Sequence, residues 1–387
     1  MTTTTAKMNS AAGTDLVRLA TELADEFRER AAGYDLAGEF PHTNYDRMRD
    51  TGYLAALVPV ELGGLGVGLR EMMRGQEALA RGCASTALAV NMHHFQVGAM
   101  ADGWRSGAPT GPLLERIVQE GLVLGSTAAE AVVAGEWTTP TEAVPVDGGY
   151  RVTGRKYFAS QAPRMDIARV NVRHAETGEI LVVAVPMSAE GVSVDETWDT
   201  MGMRATGSHD MVMDDVFVSD AAVGITLPSD SPTRAPGFAG VATWFLTLMS
   251  SVCQGIAVEA RELALSVAAG TSPSNFRNQA LTDVLLGELE VSVETGRSTL
   301  EAIGGELDAN RTDPQRALTR ALVLKEIVVP SAVASVGKAV QVSGGRSFFR
   351  KSPLERLARD VQAGLFHPPS APVSFQMLGE RVRESRA

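Results

Sequence analysis

The spacing of apolar residues changes twice along the chain. In "TDLVRLATELADEFRERAAGYD" they recur every three to four positions, with Thr14 or Asp15 as a candidate N-cap and Gly near the end, which predicts an amphipathic helix. "TNYDRMRDTGYLAAL" repeats the pattern, "VPVELGGLGVG" is a Gly-rich loop, and "LREMMRGQEALARGCASTALAVNMHHFQVGAMADG" holds the apolar period of two further helices. From about residue 121 the residues alternate or are β-branched: "GLVLGSTAAE", "GYRVTGRKYFAS", "ARVNVRHAETGEILVVAVP" and "HDMVMDDVFVS", separated by turn residues such as "DGG" and "ETGE". "LPSDSPTRAPG" then connects to a region that is helical to the end. Helices, then strands, then helices predict an α+β chain with a separate β-layer and no βαβ sheet. The expected divisions are a flexible tail over 1–14, an N-terminal helical domain over 15–120 and a central antiparallel β-domain over 121–222. A linker over 223–236 and a C-terminal helical region over 237–387 follow.

Composition narrows the class. The chain has 387 residues, 44% of them apolar and 21% charged, enough for a large core with an ordinary globular balance. A net charge of −11 speaks against nucleic-acid or anionic-membrane binding, and in the basic stretch "RSFFRKSPLERLARD" acidic residues are interleaved. No charge occurs between Arg234 and Glu259, a length that could span a bilayer; interruption by Pro, Gly, Ser, Thr and Gln instead predicts a helix buried in a helical core. Cys83 and Cys253 are too few for a disulfide framework or a zinc site, which fits a reducing cytoplasm. The start "MTTTTAKMNSAAGTD" has no apolar h-region and reads as a tail, not a signal peptide.

Several chemistries lack their signatures. "GGLGVGL" fits neither phosphate-binding Gly motif and follows no strand, so it reads as a turn. No G-x-S-x-G, H-E-x-x-H or C-x-x-C occurs. The six histidines (His42, His93, His94, His174, His209 and His367) show no metal-ligand spacing, and no metal site is expected.

"VPVELGGLG", "GGYRVTGRKYFAS", "WDTMGMRATGSHDMVMDDVFV" and "AVQVSGGRSFFRKSPLERLARD", in that order, resemble the acyl-CoA dehydrogenase superfamily from about residue 15 to 380. The resemblance implies a helical N-terminal domain, a central β-domain, a C-terminal four-helix bundle and a homotetramer, with flavin between the β-domain and the bundle helices of two subunits. It also implies that Phe158, Ala159 and Ser160 stand where the family's strand-end Trp-Ile-Thr/Ser lies against the isoalloxazine, so that Phe158 covers the ring and Ser160 bonds near N5. Taken alone, Ser160 could equally close a strand-terminal turn on its own backbone. Ser126 falls near the stretch that meets the flavin edge. Arg204, Thr206 and Ser208 lie close to substrate or the ribityl-phosphate arm. Gly344 and Gly345 either let backbone N–H groups approach a pyrophosphate or form a helix-to-helix turn.

A dehydrogenase of this family needs a carboxylate base beside the substrate α-carbon. One branch places it after the Arg-Asp pair, but Arg359–Asp360 is followed here by "VQAGLFHPPSAP"; the other takes it from a bundle helix, at the position of Phe245. Both bases are missing. His367, seven residues past Asp360, resembles instead the family's flavin-dependent monooxygenases, the two-component hydroxylases and N-oxygenases. By that resemblance Ser160 and His367 serve as neutral donors guarding a C4a-hydroperoxyflavin, and His94 or His93 closes the pocket. "TSPSNFRNQAL", with Arg277, departs from the stretch that grips the adenosine end of FAD. The flavin is therefore FMN or FAD, supplied reduced by a separate flavin reductase, for a small substrate that a thioester or carrier could hold. A dehydrogenase with a displaced base, or a scaffold that lost flavin, are the rival readings.

Overall fold

The computed structural model describes residues 15–127, 139–270, 279–309 and 311–384. The expected tail over 1–14 and the segment bearing Arg277 lie outside them.

Helix α1 (Leu16–Ala37) starts where the Asp15 carboxylate accepts from the Val17 and Arg18 N–H groups, and it ends at Gly38 with φ 70°. Its apolar stripe of Leu16, Ala20, Leu23, Phe27 and Ala31 is buried. The chain continues through α2 (His42–Asp50), α3 (Leu69–Gly82), α4 (Ala84–Arg105) and a short α5 (Gly111–Glu120). Gly82 lets α1 come close, since a Cβ there would run into the Ala24 backbone.

Among the described residues eight strands form one sheet: β1 (Leu124–Thr127), β2 (Glu142–Val146), β3 (Gly149–Ala159), β4 (Ile167–His174), β5 (Ile180–Pro186), β6 (Val192–Asp195), β7 (His209–Ser219) and β8 (Val223–Leu227). Their order is β6-β7-β3-β2-β4-β5-β8, with β1 added on β4. Two details differ from the expected antiparallel domain. β1 and β2 pair parallel to β4, because the chain reaches β4 both times across the sheet and not through a hairpin. β8 occupies residues assigned to the linker and pairs with β5, so the sheet runs past residue 222. β2, β6 and β8 are only four or five residues long, so their sequences carry little strand signal.

The C-terminal region holds α6 (Pro236–Ala269), α7 (Gln279–Ala309), α8 (Pro314–Ser343), α9 (Pro353–Asp360), α10 (Ala363–Phe366) and α11 (Ala371–Glu384). Among the described residues α6 is the one helix long and apolar enough to cross a membrane. It is instead wrapped by α3, α4, α7 and α8, and Leu248, Met249, Val252 and Ile256 are fully buried. One core cluster joins these helices to the N-terminal ones, and a second fills the sheet.

Candidate active site

A cavity of about 580 Å³ lies where the sheet meets α4, α6 and the segment after α9. Leu88, Met92, Phe95 and Gln96 of α4 form one wall, and Phe238, Val241, Ala242 and Phe245 of α6 another. The sheet contributes Ser126, Phe158, Ser160, Arg169 and Asn171, and the C-terminal segment Arg359, Gln362 and His367. Among the described residues that line it there is no Asp or Glu.

The end of β3 is shaped to present Ser160. The β3–β7 register shifts between Lys156 and Ala159, and Phe158 takes φ 56°, a left-handed conformation that costs a β-strand aromatic residue about 1–3 kcal/mol. Phe158 is therefore turned out into the cavity, edge-on to Trp198 with ring centroids 5.9 Å apart. Gln161, also left-handed at φ 61°, holds the turn in place. Its amide nitrogen donates to Leu124 O, its amide oxygen accepts from Tyr45, and its backbone N–H donates to Thr206 O.

Behind Ser160 runs a chain of hydroxyls. Ser160 Oγ is 2.8 Å from Ser208 Oγ, which is 2.6 Å from Thr206 Oγ1, which donates to Met203 O at 3.0 Å. A carbonyl only accepts and each hydroxyl has one proton, so the order is fixed: Thr206 donates to Met203, Ser208 to Thr206, and Ser160 to Ser208. The Ser160 oxygen consequently offers the cavity lone pairs.

His367 reaches the same polarity by another route. Its Nδ1 is 2.8 Å from Ala363 O and must donate, which leaves Nε2 as an unprotonated acceptor. Burial lowers its pKa below the ordinary imidazole value, and the Lys325 ammonium pushes the same way. Lys325, buried and paired with Glu326, donates to Pro369 O at 2.7 Å and so anchors the segment. The expectation of two donors is thus corrected. The hydrogen-bond directions make Ser160 and His367 acceptors.

The other residues singled out from the sequence divide. Ser126, Thr206 and Ser208 line the cavity. Arg204 does not, because its guanidinium is used on Asp35 O, Thr200 O and Asp199. His93 donates from Nε2 to Leu54 O and accepts at Nδ1 from Leu124 N, and burial holds its pKa at about 4. It is a neutral pin between α4 and β1, with no nitrogen left for a pocket. His94 is fully buried between Tyr53 and His93, away from the cavity wall, and among the described residues neither ring nitrogen has a partner. Gly344 and Gly345 end α8 outside the wall; Gly344 adopts φ 62° and its N–H caps Val340 O.

Two features escaped the sequence. Asp360 is fully buried, and its carboxylate accepts from Met203 N at 2.6 Å, tying α9 to the turn that carries Thr206. Arg169 lies in the wall on β4, where the strand's alternation gave no sign of which face helices would cover.

A ring system fits what is present: an apolar slot, an aromatic edge at Phe158 and Trp198, and two aimed acceptors.

Comparison with known proteins agrees. Models of the acyl-CoA dehydrogenase N-terminal, middle and C-terminal domains match residues 15–104, 129–216 and 248–369. The putative acyl-CoA dehydrogenase YdbM of Bacillus subtilis is 32% identical, covering 94% of this chain and 95% of that protein. The amino sugar nitrososynthase DnmZ of Streptomyces peucetius is 33% identical, covering 92% and 90%. KijD3, solved with FMN and an amino-keto-sugar nucleotide, superposes with a TM-score of 0.85 at 26% identity over 97% of this chain and 95% of that one. The chain belongs to the acyl-CoA dehydrogenase family. It groups with that family's flavin-dependent monooxygenases and N-oxygenases, which recur among its relatives.

Proposed function

We propose that the cavity binds reduced FMN and oxygenates a small substrate with O2, by hydroxylation or N-oxygenation. The observation that carries this reading is a wall with two aimed acceptors and, among the described residues, no carboxylate. α-Proton abstraction would lack its base there. Bound reduced flavin would supply the electrons that divide O2 between product and water.

The protein's own part follows from its polarity. Ser160 Oγ would accept a hydrogen bond from a ring N–H of a bound flavin, and the Ser208–Thr206–Met203 chain keeps it from turning donor. His367 Nε2, also in the wall, is free to accept a proton or hydrogen bond. Phe95, Phe245 and Phe238 exclude water, which would otherwise compete for both acceptors. Ser126 completes the sheet side. His94, one layer behind the wall, backs the pocket without touching its contents.

The reduced flavin comes from a separate reductase and the assembly is a homotetramer, while Gly344, whose N–H caps Val340 O, serves as the turn that ends α8. Mixing the protein with reduced FMN and O2 and following flavin reoxidation tests the reading. His367→Ala should speed reoxidation and release hydrogen peroxide in place of product; unchanged kinetics and product yield would refute the role of His367.

A further inference from the structure

Two arginines line the cavity, and their surroundings are opposite. Arg359 is fully engaged: Nη2 lies 2.6 Å from Asp35 and 2.8 Å from Glu355, Nε 2.7 Å from Glu355, and Nη1 reaches Asp35 and Met201 O. Arg169 is 8% exposed and makes no hydrogen bond or ion pair among the described residues; its Nε is buried without a partner. Its pKa is lowered by burial, and among the described residues no carboxylate offsets this. A buried guanidinium that meets no anion costs several kcal/mol, so an isolated one needs a reason outside the folded chain itself.

Its place supplies one. Arg169 sits on β4 opposite Ser126 of β1 and Ala184 of β5. Its side chain reaches across to β8, where a Cβ on Gly224 would come within 2.8 Å of Nη2. Asn171, two residues along the same strand face, also lines the cavity. Ser160 and Ser208, by contrast, stand at the ends of β3 and β7, which β2 separates from β4 in the sheet. The wall as a whole is mostly apolar.

We propose that Arg169, helped by Asn171, receives an oxyanion on the substrate. The cavity would thus take an apolar molecule with one anionic group held away from the atom that is oxygenated. One cation and one neutral amide match a single carboxylate, sulfonate or phosphoryl group. This rests on reading the cavity as the substrate site, and it narrows the substrate to a charge class. The guanidinium fork orients such a group through paired N–H···O bonds, which fixes which end of the molecule faces Ser160 and His367. The flavin's own 5′-phosphate carries the same chemistry, so the test must separate the two sources.

Calorimetric titration without reduced flavin or O2 does this, and its outcome is independent of whether the chemistry is oxygenation. The probes are 1-naphthylacetate and its neutral isostere 1-naphthylacetamide, with FMN and riboflavin as the second pair. The wild-type protein should prefer the acetate by roughly tenfold or more, as a charged hydrogen-bonded pair implies. Arg169→Gln should abolish that preference, Arg169→Lys should keep part of it, and affinities for FMN and riboflavin should stay in their wild-type ratio. Gly224→Ala leaves the charge in place and crowds Nη2, and it should weaken the acetate alone; this covers the case in which Arg169→Gln does not fold. Equal binding of acetate and acetamide, or no binding of the acetate in the roughly millimolar range, would overturn the proposal. So would an Arg169→Gln protein that loses affinity for FMN but not riboflavin, since the anion would then be the flavin's.

Discussion

At the scale of single residues, the site depends on where protons sit. Ser160 faces the cavity as an acceptor because its own O–H donates to Ser208, and Ser208 can accept it because its O–H donates to Thr206, whose O–H donates to Met203 O. Ser208→Ala should therefore release the Ser160 hydroxyl to point into the cavity. The expected result is a several-fold fall in product formed per flavin oxidised, from one misdirected hydrogen bond worth about 1 kcal/mol, with flavin affinity little changed. Product and hydrogen peroxide yields measured together check it. His367 gives a pH dependence. Its pKa is held below the usual 6.5, so Nε2 stays an acceptor at neutral pH and product yield should fall only as pH drops through that lowered value. Lys325→Met, which frees Pro369 O and removes a positive charge, should move that acid limb to higher pH. Ser160 and His367 were legible in the sequence because a strand-end motif and a fixed offset from Asp360 carry them. Their donor or acceptor character was not, since it depends on carbonyls at Met203 and Ala363 that only the fold brings near. His93 illustrates the opposite failure: the family resemblance suggested a place in the pocket, and two backbone partners consume both its nitrogens.

At the scale of elements, the turn between β6 and β7 joins the sheet to the bundle. Gly202 packs against the Arg359 carbonyl, where a Cβ would clash with backbone, and Asp360 accepts from Met203 N. Gly202→Ala should push the turn off α9 and cost about 1–3 kcal/mol of stability, as overpacking does, with loss of the hydroxyl order. Asp360 makes a distinct prediction. Burial raises its pKa from 3.8 to about 6 despite the Met203 bond. The folded value lies above the unfolded one, so the stability this group contributes is fully present at acid pH and is lost as pH rises to about 6. Asp360→Asn, which can still accept from Met203 N, removes that dependence. Its Tm relative to wild type should rise by roughly a few degrees across this window, read by calorimetry at several pH values. Long helices and strands with clear periodicity were legible in the sequence. Short edge strands such as β6 and β8 were not, because runs of four or five residues are too short to carry a period and it is pairing with β7 and β5 that makes them strands.

At the scale of the whole molecule, three segments of chain meet around one cavity: α4, the sheet, and the C-terminal region from α6 to Pro369. Phe158 and Phe366 stand exposed at its rim, and Phe348 and Phe349 are exposed beyond the end of α8. Exposed apolar side chains of that size fit a subunit contact, so if the proposed homotetramer forms through them, light scattering should give that species and Phe348→Asp with Phe349→Asp a smaller one. The central claim is that this cavity directs flavin chemistry toward oxygen and not toward α,β-dehydrogenation. The most direct measurement is a two-part spectroscopic mixing experiment. Reduced FMN bound to the protein and mixed with O2 should give a transient near-ultraviolet absorbing species that outlives free-flavin oxidation, and anaerobic acyl thioester should leave bound oxidised flavin unbleached. Bleaching by the thioester, with no transient under O2, would contradict it.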